Sequence, residues 1–184
     1  EYKNNAKGDK ITASSIESDY KTAENKEKAF ANDKTFEGTE VARKLCSWTT
    51  ESDDKYIAGV LADINEDNIE SFMRAIYANP SFDHKGCEGF IEKLDDDTSA
   101  SNGVTLALKK QLINAFLAYA IKSGISEIDN DIKYIKLGLD ACTGDDFNEH
   151  YSGWTWCGLG TNWNEKIDEC MWNIATRIGL TKQA

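Results

Sequence analysis

The stretch 65–80, "NEDNIESFMRAIYANP", decides the fold class. Asn65 stands where a cap is wanted, and Glu66 and Asp67 supply negative charge to the first turn. Ile69, Phe72, Met73, Ile76 and Tyr77 then recur at spacings of three and four, the period of one helix face. Pro80 cannot donate a backbone hydrogen bond and stops the run. This is an amphipathic helix with a start, a buried stripe and an end, and it sets the pattern for its neighbours.

The same period appears on both sides. Segment 39–49 places Val41, Leu45 and Trp48 on one face, with Gly38-Thr39 as its cap; 54–64 offers Ile57, Val60, Leu61 and Ile64. Downstream, 86–97 carries Cys87, Phe90, Ile91 and Leu94. The longest pattern, 104–122, carries Leu108, Leu112, Ile113, Phe116, Leu117, Ala120 and Ile121, and Gly124 is placed to cap its end. Segment 126–140 supplies Ile128, Ile132, Ile135 and Leu139, and 162–178 supplies Trp163, Ile167, Cys170, Met171, Ile174 and Ile178. Apart from Trp154-Thr155-Trp156, nothing alternates with period two. The spacing predicts an all-α fold: a compact bundle of about seven helices over residues 30–184, read as a single domain.

Residues 1–29 read differently. They hold Ile11, Ile16 and two tyrosines among polar side chains, with six lysines against six acids. Such a composition buries too little apolar surface to offset its ordering entropy, so a polar tail or linker is expected, with a short helix from about 15 to 30 as the alternative. The net charge of -11 therefore belongs to the rest of the chain. A surface that acidic repels phosphate backbones, which argues against nucleic acid as a partner. It also repels anionic membranes unless a divalent cation bridges the two. No apolar run approaches the roughly 20 residues of a transmembrane helix.

Candidate chemistry is sparse. "DINEDNIESFMR", 63–74, puts acids and amides at the first, third and fifth positions of a calcium loop. It has Asn68 where a sharp turn needs glycine, and Arg74 where the last ligand must be an acid, so it reads as helix end, cap and helix start. Five cysteines, at 46, 87, 142, 157 and 170, show no CxxC pair. Core thiols are the leading reading, with one bridge among the last three if the chain is secreted. A zinc site from Cys142, His150, Cys157 and Cys170 lacks the close ligand pairs that zinc sites use. Phosphate loops, nucleophile elbows and HExxH are absent from the sequence. Asp145, Asp146 and Glu149 are the acids nearest a glycosidase pair.

The distinctive segment is 151–166, "YSGWTWCGLGTNWNEK". It brings Trp154, Trp156 and Trp163 within ten residues among glycines. An extended Trp154-x-Trp156 would place both rings on one face, with Tyr151 beside them, as a stacking platform for a glycan or another ligand. Trp163 and Trp172 belong with the core stripe of the last helix.

Residues 39–122 resemble an annexin repeat. "GTEVARKLCSW" corresponds to helix A, "DDKYIAGVLADI" to B, "NEDNIESFMRAIYAN" to C, "GCEGFIEKLDDD" to D and "LALKKQLINAFLAYA" to E. The acidic stretch "DDDTS" is similar to that family's D-to-E turn. The resemblance implies calcium as a cofactor, with Asp95, Asp96 or Asp97 donating a carboxylate. "GLGT" is similar to the A-to-B loop, whose carbonyls hold calcium against phospholipid; this implies Gly158, Gly160 and Thr161 as further ligands. In the first unit the A-to-B connection, "SWTTESDD", has no glycine.

These readings converge on a non-catalytic helical binding module, acting through the Trp/Gly loop by calcium-dependent attachment to a phospholipid surface. A glycan-binding or glycan-hydrolysing domain built on Trp154 and Trp156 is the second reading. A structural domain of a larger protein is the third. The tryptophans and the Asn-rich tail lean towards an extracytoplasmic location.

Overall fold

A computed structural model of the chain describes residues 12–82, 89–142, 150–151, 154–155 and 163–181. Among them are eight α-helices: α1 (Ala13–Ala31), α2 (Thr35–Leu45), α3 (Glu51–Ala62), α4 (Ile69–Ala78), α5 (Phe90–Asp97), α6 (Leu106–Lys122), α7 (Asn130–Ala141) and α8 (Trp163–Arg177). Short 3-10 turns at Pro80–Phe82 and Ala100–Asn102 follow α4 and α5. Two two-residue strands, β1 (His150–Tyr151) and β2 (Trp154–Thr155), form the sheet. The fold is all-α in character, as the 3.6 period predicts.

The chain divides into two compact units, Glu1–Asp33 and Lys34–Ala184. The first contains α1, so the helical alternative describes Ala13–Ala31. Thr12 and Ser15 start that helix by exchanging backbone-to-hydroxyl hydrogen bonds of 3.0 and 3.1 Å, and Lys21 pairs with Glu17 one turn away at 3.1 Å. Ile16 and Tyr20 on it are exposed.

The second unit holds the seven expected helices around one core. Against α4 packs α2, and both α3 and α4 reach α6; α8 is sandwiched by contacts to α5 and α7. Ile69, Phe72, Met73, Ile76 and Tyr77 are all buried, as are Leu112, Ile113, Phe116, Leu117 and Ala120 of α6. Phe90 meets Phe72 and Phe82 edge to face, at centroid distances of 6.2 and 5.8 Å.

Three boundaries differ from the sequence reading, each for a local reason. Helix α2 begins at Thr35, so Gly38 is interior to it and not its cap; α4 comes so close that a Cβ on Gly38 would lie 2.6 Å from the Phe72 carbonyl oxygen. Asn65 organises a turn ahead of α4 instead of capping the helix directly: its N–H donates to Asn68 Oδ1 at 2.8 Å, and α4 starts at Ile69. Asp129 caps α7 through the Asp131 N–H at 3.0 Å, which leaves Ile128 outside the helix and exposed.

Candidate functional site

The α2–α3 connection corrects the sequence reading most sharply. Trp48, placed by spacing on the buried face of α2, is 97 % exposed. The helix has already ended at Leu45, where the Cys46 N–H donates back to the Ala42 carbonyl and the Ser47 N–H to the Lys44 carbonyl. Ser47 donates its hydroxyl to the Lys44 carbonyl at 3.2 Å, and the chain then leaves the helix axis.

The far side of the connection is tightly pinned. Thr50 and Asp53 form a reciprocal capping box at the start of α3. Asp53 also pairs with Lys44 at 2.8 Å, and that ammonium, with the Thr50 N–H, holds its carboxyl down to about 2. Lys44 lies over the Tyr56 ring, 5.1 Å from its centroid. The Thr49 hydroxyl donates to the Asp97 carbonyl at the end of α5.

The two connections that the annexin resemblance singles out, "SWTTESDD" (47–54) and "DDDTS" (95–99), therefore meet. Asp54, in the first turn of α3, is buried there. Its Oδ2 accepts from the Ser99 N–H at 3.2 Å and from Asn102 Nδ2 at 2.8 Å, while its Oδ1 has no partner among the described residues. Gly103, at φ 102°, closes the turn in the left-handed region that favours glycine.

The three acids of "DDDTS" go to different places. Asp95 faces the interior, where one oxygen accepts from the buried Lys109 ammonium and the other from Asn164 Nδ2 at 2.8 Å. Its carboxylate is thus engaged by a cation already. Asp96 is exposed, and Asp97 pairs with Lys93 at 3.2 Å. Among the described residues, no three His, Cys, Asp or Glu side chains converge as a metal cluster.

At the Trp/Gly segment, Tyr151 pairs with Trp154 and His150 with Thr155 in an antiparallel ladder. The backbone is extended at Trp154, the condition for the W-T-W reading. Trp156, Gly158, Gly160 and Thr161 lie outside the described residues, as do Asp145, Asp146, Glu149, Cys87 and Cys157. Trp172 packs on the core, edge-on to Tyr77 at 5.3 Å.

Cys142, at the end of α7, is disulfide-bonded, and its partner lies outside the described residues. Cys46 and Cys170 are free; Cys46 is exposed, and Cys170 is buried with its thiol pushed up to about 12, chiefly by desolvation. One sequence signal for the interior polar cluster existed. Lys109 precedes Leu112, Ile113 and Phe116 by three, four and seven, which puts it on the buried face of α6.

Fold and site together define an all-α bundle that presents a tryptophan on a pinned interhelical connection beside a buried, half-satisfied aspartate. The chain matches no family model, no curated protein and no solved structure.

Proposed function

We propose that the chain is a non-catalytic helical binding module that attaches to a phospholipid surface in a calcium-dependent way. The observation that carries the reading is Trp48. Tryptophan is usually largely buried, yet this one is 97 % exposed on a connection fixed by caps and hydrogen bonds. A solvent-facing indole on a pinned connection is suited to the interfacial region of a bilayer.

Asp54 supports the cation. Calcium takes oxygen ligands from carboxylates and backbone carbonyls, and Asp54 Oδ1, unpartnered among the described residues, sits where two interhelical connections meet. A divalent ion is also what an acidic chain needs to approach an anionic surface. The disulfide at Cys142 supports an oxidising, extracytoplasmic setting for such contact.

The test is tryptophan emission with iodide quenching, titrated with calcium and then with chelator in the presence of acidic phospholipid vesicles. Calcium-dependent shielding that chelator reverses supports the reading, and unchanged quenching throughout argues against it. The extended backbone at Trp154 favours a second reading, glycan stacking; soluble oligosaccharides added to the same assay test it.

A further inference from the structure

Three polar side chains meet inside the bundle where α5, α6 and α8 come together. Lys109 is 3 % exposed, Asp95 7 % and Asn164 1 %. Ile91, Leu112, Ile113 and Ile167, one turn away along the same helix faces, are all fully buried. Burying an ion pair in such surroundings gains little: a well-packed apolar set of similar volume is often as stable or more so. The third member is not a charge but a primary amide. Among the described residues it is held through its nitrogen alone and its Oδ1 has no partner, which is itself a cost for a purely structural role.

The arrangement has a chemical logic. One carboxylate spans the amine and the amide, with one Asp95 oxygen on Lys109 Nζ and the other on Asn164 Nδ2 at 2.8 Å. A nucleophile and a leaving group are thus held on the two oxygens of a single proton-transfer group.

We infer that Lys109 and Asn164 become joined by an intramolecular amide bond, formed by the chain itself with Asp95 as the catalytic acid–base. Asp95 accepts a proton from the Lys109 ammonium, and the freed lone pair attacks Asn164 Cγ. The Nζ–Cγ bond forms and the Cγ–Nδ2 bond breaks. The proton held on Asp95 and the second proton lost by Nζ pass to the departing nitrogen, which leaves as an ammonium ion. The net change converts one ammonium and one primary amide into one secondary amide and one ammonium ion, and Asp95 returns to a carboxylate. No oxidant, reductant or added group is consumed. Holding the reactants together in a water-poor interior makes so slow a reaction accessible. The product ties α6 to α8 across residues 109–164, the span that contains Cys142 and all three tryptophans of the Trp/Gly segment.

The test is the mass of the intact, denatured full-length protein, followed by tryptic mapping after reduction. A mass one ammonia below that of the sequence, once disulfides are allowed for, is expected. So is a reduction-resistant branched peptide joining 94–110 to 137–166, uncut after Lys109. Linear peptides with unmodified Lys109 and Asn164 would overturn the inference, and so would loss of one water within 94–110, which would place the bond on Asp95 instead. Asp95→Asn, checked for folding by circular dichroism, is expected to lack the branched peptide. A folded variant that still forms it would overturn the role given to Asp95.

Discussion

The carbonyl oxygen of Phe72 lies 2.6 Å from the point a Cβ on Gly38 would occupy, and the Ala75 methyl lies 2.8 Å from it. This contact sets how closely α2 and α4 approach. In Gly38→Ala the obstacle is backbone, which cannot swing aside. Overpacking should outweigh the better helix propensity of alanine and cost about 1–3 kcal/mol. Gly59, inside α3, has nothing within 4 Å of its missing Cβ. Gly59→Ala should stabilise by about 0.5–1 kcal/mol. Urea midpoints of the two variants check the pair; a gain at Gly38 would contradict the packing described.

Two aspartates should bend the stability profile in opposite directions. Asp168 reaches from α8 to accept the Ile91 and Glu92 N–H groups at 2.8 and 2.9 Å, capping α5 where Gly89 brings no side chain. Desolvation pushes its carboxyl up to about 7, opposed by those two N–H groups and assisted by Glu92. The folded state therefore holds a proton that the unfolded state has released, and stability falls as pH rises from about 4 through about 7. Asp53, held down to about 2, contributes stability that is lost as pH falls from about 4 towards 2. Thermal midpoints across this range should show both slopes. Asp168→Asn should abolish the upper one, and its persistence in that variant would refute the assignment.

The free thiols should differ in reactivity by orders of magnitude. Cys46 is exposed, whereas Cys170 is buried and its thiol is pushed up to about 12. The thiolate is the reactive form. Timed alkylation of the native protein, with peptide mapping, should label Cys46 long before Cys170. Equal rates would mean that α8 does not shield Cys170 as described.

Trp48 should be nearly silent in folding. Its side chain is almost wholly in solvent, so Trp48→Ala should change stability by no more than about 0.5 kcal/mol. Thr50→Ala, which removes the cap of α3, should cost about 1 kcal/mol by comparison. Denaturant unfolding of both variants separates a presented side chain from a structural one.

Helix existence was legible because the core side chains recur with the helical period; helix ends were less so. Gly38 resembles a cap in the sequence because glycine serves both helix ends and crossings, and only the partner helix distinguishes them. The lone period could not reveal that Trp48 lies past the end of α2, since Val41, Leu45 and Trp48 fit one face whether or not the helix continues. Asp168 as the cap of α5 was invisible, being 77 residues from the N–H of Ile91. Asp95 reads as part of an acidic turn in the sequence, because its neighbours Asp96 and Asp97 hide that it falls four residues after the buried Ile91. Of the candidate ligands, the sequence named the turn at 95–97 but not Asp54, whose partners Ser99 and Asn102 are distant in the chain.

The most direct test is sedimentation of the full chain with acidic phospholipid vesicles, with calcium and with chelator, beside Trp48→Ala under the same conditions. Calcium is expected to bring the wild-type chain down with the vesicles and chelator to release it, while Trp48→Ala stays in solution although folded. No sedimentation of the wild-type chain, or equal sedimentation of a folded Trp48→Ala, would refute the proposed attachment.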